Sequence, residues 1–363
     1  MDNLTHSLFG LTLARTPLGK AGRGTTAVLL IASNAPDIDI VAAAGGAAKY
    51  LEWHRGMTHG PLGVIGLAAI TAAIIEVARW LNPRWRHADN ARWPMLFAVA
   101  IVGVLFHVLL DLPTSYGVRL LSPFSWRWFA LDWMPIVDAY FLIVLASGLL
   151  FGRGGQAARR RNAAIVLTFA AIIYGVRAAA HHQALEMAPV LFGPTLPPRC
   201  DSAPSSSFVE SWPKPPASPP ATGRRCLVEL AALPQFLSPF DWRIVAHLSN
   251  AFELHDINVL DARFRDSGKD AVFWRQVIRY PNIWTPMVEH AASTDLGQVF
   301  LGFSRFPAAR TATDAAGAGT VRFTDVRFVG SVIADQPGVN NRMFTATIRF
   351  DPGGRLLSET LGR

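Results

Sequence analysis

Apolar residues along this chain collect into long runs between Thr25 and Arg177, whereas Cys200 to Arg363 mixes apolar and polar positions as a water-soluble sequence does. Pro61 to Leu81, Met95 to Leu112 and Asn162 to Ala180 have, or nearly have, the roughly 20-residue length that crosses a hydrocarbon core of about 30 Å. Ile136 to Phe151 is shorter but continuous and counts as a fourth span. Leu4 to Ala14 and Thr25 to Ala35 are about half as long and predict a short N-terminal helix pair at partial membrane depth.

After His182 the pattern changes. Ser202 to Pro220 is rich in Pro and Ser, which favours extended backbone and marks a connector. Beyond it, Val321 to Phe328 and Met343 to Phe350 alternate apolar with polar residues, the period of half-buried strands, and Asp351-Pro352-Gly353-Gly354 signals a turn. Asp270 to Arg279 reads equally as a strand or a short helix. The expected architecture is mainly α: a helical membrane domain with the site over residues 1–185, a linker over 186–225 and a small, mainly β soluble domain over 226–363.

Composition supports the membrane reading, with 51% hydrophobic and only 17% charged residues. The net charge of +8 invites nucleic acid as a partner, but the basic residues sit in short clusters between the apolar runs. Cytoplasmic loops of membrane proteins carry this signature, so no nucleic-acid partner is expected. Arg15, Lys20 and Arg23 form one cluster, Arg79, Arg84, Arg86 and Arg92 a second, and Arg153, Arg159, Arg160 and Arg161 a third. Placed in the cytoplasm, they put Asp37 to His59, His107 to Asp138 and the C-terminal region on the other side. The N-terminus lacks a basic segment followed by an apolar core, so insertion is expected to rely on internal helices. Cys200 and Cys226 form no CxxC pair, which argues against cysteine-held zinc; on the extracytoplasmic side they could close a disulfide around the Pro-rich loop.

Ionisable residues at membrane depth are costly and tend to mark function. Here they fall into four groups: His6; Asp37 and Asp39 after Pro36; His54, Arg55 and His59 in HRGMTH; and His107 with Asp111, one helical turn apart. A lone histidine such as His6 is more often simply hydrogen-bonded, and Asp37 or Asp39 alone reads as a helix cap. Read as extended backbone, Asp37 and Asp39 project to one side and repel unless a cation lies between them. Together, on one predicted membrane face, the groups point to a divalent metal, zinc first, with manganese possible through the carboxylates. His6, Asp37, Asp39, His54, His59, His107 and Asp111 exceed the needs of one tetrahedral ion, leaving two metals or one metal plus a general base. Asp39, or Asp37, is the expected general base, and Arg55 the clamp for an anionic substrate oxygen, unless it braces a carboxylate instead. Tyr116 and Arg119 are further substrate-contact candidates, in a segment whose Trp126, Trp128 and Trp133 suit a membrane interface.

The motifs MDNLTH, NAPDID, HRGMTH and HVLLD, followed by DLPTSYGVRLLSPFS, resemble the YdjM family of inner-membrane proteins, described as membrane-bound metal-dependent hydrolases. The resemblance covers the membrane half and implies that Asp37, Asp39, His54, His59, His107 and Asp111 are metal residues. The expected function is hydrolysis of an ester, foremost a phosphoester or lipid-linked substrate, by metal-activated water. Membrane lipid and a small-molecule or lipid substrate are the expected partners, the bacterial inner membrane the location, and the oligomeric state is open. The alternative is a membrane metal-binding, transport or sensor protein without hydrolysis.

Overall fold

The computed structural model describes residues 1–362 except 88, 153, 193–195, 202–207, 215–224, 262–276 and 330–343. Most of the Pro/Ser connector, Arg153, Met343 and the greater part of Asp270 to Arg279 therefore lie outside the described residues. The chain divides into two compact units. One comprises Met1–Val41, Trp53–Ala179 and Phe236–Pro239, and the other Ala42–Glu52, Ala180–Gln235 and Phe240–Arg363.

The first unit is helical. Helices α1 (Asn3–Ala14) and α2 (Thr25–Ala32) are followed by a 3-10 segment, Ala35–Gly45, whose end, with nearly all of α3 (Ala47–Trp53), is counted in the second unit. Then come α4 (Pro61–Leu81), α5 (Trp93–Asp111), α6 (Ala139–Phe151) and α7 (Gln156–Phe192). At 1.5 Å per residue, the 21 residues of α4 and 19 of α5 reach about 31 and 28 Å, a match to the hydrocarbon thickness. Among the described residues three helices, α4, α5 and the Gln156–Pro189 part of α7, are long and apolar enough to cross a membrane. The bent pair formed by α2 and the 3-10 segment makes a fourth if it acts as one span.

Two expectations shift here. Helix α6 has only 13 residues, about 20 Å, because Asp138 caps its start by accepting from the Phe141 amide, so it falls short of a span. Helix α7 runs on to Phe192, into the stretch assigned to the linker.

The helices pack through small residues. Ala68 and Ala72 of α4, Ala100 and Gly103 of α5 and Ala32 of α2 are buried, while Leu62, Ile65, Ile70, Ile74 and Val77 of α4 face outward. That inside-out arrangement suits lipid, where association depends on close backbone approach rather than on apolar burial. A Cβ on Gly103 would stand 2.7 Å from the Ala32 Cβ, and one on Gly10 would stand 2.6 Å from Ser33 Oγ. Glycine at both places lets α1 and α5 close onto the end of α2.

The second unit contains two four-stranded antiparallel sheets. With short β1 (Trp128–Ala130) and β2 (Glu210–Trp212) preceding them in the chain, the strands of the first sheet are β3 (Leu227–Pro234), β4 (Asp241–Leu248), β5 (Ala251–Asn258) and β6 (Ile278–Pro281), in sequence order. Ile278 and Arg279, at the end of the ambiguous segment, thus belong to a strand. Helices α8 (Pro286–Ala292) and α9 (Asp295–Phe303) lead to the second sheet. It is formed by β7 (Pro307–Thr313), β8 (Gly319–Asp325), β9 (Thr345–Phe350) and β10 (Leu356–Leu361), in the order β10-β9-β8-β7. The two alternating segments read from the sequence overlap β8 and β9, but Val326–Phe328, expected to continue the first strand, forms a 3-10 turn. Asp351 turns the β9–β10 hairpin, its carboxylate accepting from the Arg355 amide at 2.8 Å. Trp242, Ile244, Phe252, Phe300, Phe306, Phe323 and Ile348 are fully buried, and a disulfide joins Cys200 to Cys226.

Candidate metal centre

Three separate segments of the first unit meet at one buried cluster: Asp37, His59, His107 and Asp111. Asp37 comes from the first turn of the 3-10 segment, His59 from the turn before α4, and His107 and Asp111 from the last turn of α5. Each offers one ligand atom, and the four atoms lie within 4.8 Å of one another. His59, His107 and Asp111 are fully buried, and Asp37 alone keeps some exposure, 15% of its side chain.

The spacing within the cluster is informative. His59 Nε2 stands 3.3 Å from Asp111 Oδ2 and 3.3 Å from His107 Nε2. His107 Nε2 is 3.4 Å from Asp111 Oδ2 and 3.5 Å from Asp37 Oδ1. Zinc bonds of about 2.0–2.1 Å in a tetrahedron put neighbouring ligand atoms about 3.3–3.4 Å apart. Four of the six edges of the Asp37–His59–His107–Asp111 set are therefore close to that length.

The far side of each imidazole fixes which nitrogen faces the cluster. His107 Nδ1 lies 2.8 Å from the Ser33 carbonyl, which can only accept, so Nδ1 carries the hydrogen. This carbonyl belongs to the C-cap residue of α2 and lacks a helical partner of its own, and the glycine contact at Gly103, one turn before His107, brings it within reach. His59 Nδ1 is 2.9 Å from Thr58 Oγ1, whose hydroxyl points on to Asp39 Oδ2 at 3.4 Å. The run from imidazole to hydroxyl to carboxylate likewise places the hydrogen on Nδ1. Both Nε2 lone pairs then point at each other across 3.3 Å, an arrangement that a cation between them relieves. Burial, and next the nearby His107 and Arg55, hold the His59 imidazole well below its ordinary pKa and so in the neutral, ligating form.

The other sequence candidates surround this cluster. Asp39 does not point with Asp37: in 3-10 geometry, residues two apart are about 240° apart around the axis, so the expectation of extended backbone and a shared side does not hold. Asp39 instead braces the HRGMTH turn, with Oδ1 3.2 Å from His54 Nδ1 and Oδ2 accepting from the Arg55 amide at 2.6 Å. His54 thus sits behind Asp39, stacked edge-on against Tyr116.

Arg55 occupies a left-handed conformation, φ 49°, and its guanidinium turns inward. It donates to Asp111 Oδ1 at 2.9 Å, the Gly117 carbonyl at 3.0 Å and Thr114 Oγ1 at 3.3 Å. Arg119 lies over the rings of Trp126 and Trp128. His6 is wholly buried and stacks on His107 with ring centroids 3.8 Å apart. Its Nε2 is 3.5 Å from Asp111 Oδ1, against which the Met1 amino group also rests.

The orphaned atoms bear on whether a metal fits. Both His6 ring nitrogens, Asp37 Oδ2 and Asp111 Oδ2 are buried without a hydrogen-bond partner. Buried polar atoms are normally satisfied. Unpaired carboxylate oxygens gathered around two imidazole lone pairs suit a divalent cation such as zinc or manganese. Two contributors escaped sequence reasoning. The Ser33 carbonyl is backbone and has no signature in residue type, whereas Thr58, inside HRGMTH and next to His59, could have been suspected as its orienting hydroxyl.

Membrane-length helices enclosing a buried His/Asp cluster that could bind metal define a polytopic membrane protein with a candidate metal centre. Residues 1–184 match the YdjM inner membrane protein family, and the chain belongs to it. It is also similar to the uncharacterized protein YfhP of Bacillus subtilis (strain 168), 29% identical over 165 residues that cover 43% of this chain and 48% of that protein. The match thus spans about half the length of this curated relative. No solved structure matches the chain.

Proposed function

We propose that the cluster binds a divalent metal, zinc by preference, and that the protein is a membrane-bound hydrolase of esters, foremost of a phosphoester or lipid-linked substrate. The observation that carries this reading is the set of 3.3–3.5 Å separations joining Asp37, His59, His107 and Asp111, with both histidines oriented from behind. His59, His107 and Asp111 would hold the ion, with Asp37 completing the set. When bound, the metal supplies Lewis acidity and lowers the pKa of water toward neutrality.

Asp37 alone in the cluster combines an unbonded oxygen, Oδ2, with a partly exposed side chain, and unlike Asp39 it is not tied to the HRGMTH turn, so it is the better placed to take the proton of an attacking water. Asp39 acts through Thr58 and the HRGMTH backbone to keep His59 in place. Arg55 steadies Asp111 rather than reaching outward. Ile38, Ile40 and Val41 are exposed beside the acidic pair, as are Trp53, Met57 and Trp126. An apolar rim of this kind favours a substrate delivered from the lipid phase.

The Cys200–Cys226 disulfide supports an oxidising location for the C-terminal region and agrees with the orientation read from the arginine clusters. The test is metal analysis of detergent-purified protein, with assay of a chromogenic phosphodiester. Wild type should carry metal and cleave the ester, while His59→Ala and Asp111→Ala should lose both. Metal binding without cleavage of any ester would favour the transport or sensor alternative, and unchanged metal content in both variants would remove the site.

A further inference from the structure

Asp111 divides its carboxylate between two surroundings. Its Oδ2 faces His59 Nε2 at 3.3 Å and His107 Nε2 at 3.4 Å and has no hydrogen bond. Its Oδ1 faces away from that set, toward His6 Nε2 at 3.5 Å. His6 is the part of the cluster that one ion does not account for. It is fully buried, neither ring nitrogen has a hydrogen-bond partner, and its separation from Asp111 Oδ1 matches the ligand-to-ligand edges of the principal set.

The geometry points to a second cation position, bounded by His6 Nε2 and Asp111 Oδ1, with Asp111 as the carboxylate that bridges the two ions. The inference rests on the reading of Asp37, His59, His107 and Asp111 as a metal centre. A carboxylate oriented with each oxygen toward a different imidazole set suits a pair of divalent ions, which in two-metal sites lie about 3.5–4 Å apart. The stacking of His6 on His107, 3.8 Å between ring centroids, sets the second position directly beside the principal set.

Two groups compete for the same oxygen: Arg55 donates to Oδ1 at 2.9 Å and the Met1 amino group touches it. A carboxylate oxygen accepts more than one partner, so Arg55 can remain while an ion binds. The second position is accordingly the weaker of the two, because the Arg55 charge sits beside it. Zinc or manganese suits a nitrogen and a carboxylate oxygen completed by water.

The experiment loads the full-length, detergent-purified protein with Mn²⁺ alone, after chelator treatment and desalting. It then measures metal per chain by mass spectrometry and records the electron paramagnetic resonance spectrum. Wild type should hold about two ions with the multiline spectrum of a coupled pair, and His6→Ala about one with an uncoupled spectrum. One ion in both proteins, uncoupled in both, would overturn the second position and leave the principal site standing. No ion in wild type would overturn the principal site as well. If His6→Ala fails to fold, wild-type stoichiometry and coupling still decide the question.

Discussion

Replacing Thr58 with valine isolates the contribution of the groups behind the candidate ligands. The side chain keeps its branched shape and loses only the hydroxyl that joins His59 Nδ1, at 2.9 Å, to Asp39 Oδ2, at 3.4 Å. His59 is buried, so its Nδ1 hydrogen would then lack an acceptor, which costs on the order of 1–3 kcal/mol. Part of that cost is relieved when the ring tilts or changes tautomer, and either response turns Nε2 away from its contacts with Asp111 and His107. Loss of a partner that orients a metal-bound histidine typically weakens affinity about 10–100-fold, or roughly 1.4–2.7 kcal/mol. The expectation for Thr58→Val is therefore about a 10-fold or greater rise in zinc dissociation constant, with Thr58→Ser close to wild type. Competition against a chromophoric chelator in detergent measures it, and a thermal melt confirms that each variant is folded. Equal affinity in wild type and a folded Thr58→Val would refute the argument that His59 is held from behind for metal binding.

Gly103→Ala should cost about 1–3 kcal/mol and weaken metal binding, since its Cβ would meet the Ala32 Cβ at 2.7 Å and push the Ser33 carbonyl from His107; melts with and without metal check this. In the C-terminal region, burial pushes the His247 imidazole down to about 4, with Glu229 opposing and Lys214 assisting. The unfolded chain takes up that proton at about pH 6.5 and the folded one only near pH 4, so stability should fall as pH drops through this window. His247→Gln should flatten that decline in melts at pH 7 and pH 5. Replacing both Cys200 and Cys226 with serine releases a cross-link across a sequence separation of 26, worth about 3.5 kcal/mol on a loop-entropy argument, and should lower the melting temperature of the C-terminal region.

The sequence was informative where one physical constraint dominates. Hydrocarbon thickness forces long apolar runs, so α4 was legible to the residue, with Pro61 at its first turn. Helix α6 was over-read because apolar residues precede Asp138, and a run of composition does not reveal where a carboxylate caps the helix. His107 and Asp111 were legible as a pair because a separation of four has only one meaning on a helix. Asp37 and Asp39 were not, since Pro36 ends α-helical pairing yet is tolerated in a 3-10 turn, which sends the two carboxylates in different directions. Which of seven candidate residues would converge depended on how α2 and α5 pack, and glycine at position 103 records that contact without identifying its partner.

The cluster draws on residues 37, 59, 107 and 111, contributed by three segments far apart in the sequence. In a bilayer, where apolar helices are already solvated by lipid, such a crosslink weighs heavily in the balance between assembled and separated helices. An ion free at about a hundred times its dissociation constant adds about 2.7 kcal/mol to the assembled form, provided the separated helices bind none. If the proposed metal reading holds, metal supply would set how much of this protein is intact as well as how much is active. On that reading, the metal-free bundle, held by small-residue contacts such as Gly103 against Ala32, would be the form more open to proteolysis when metal is scarce.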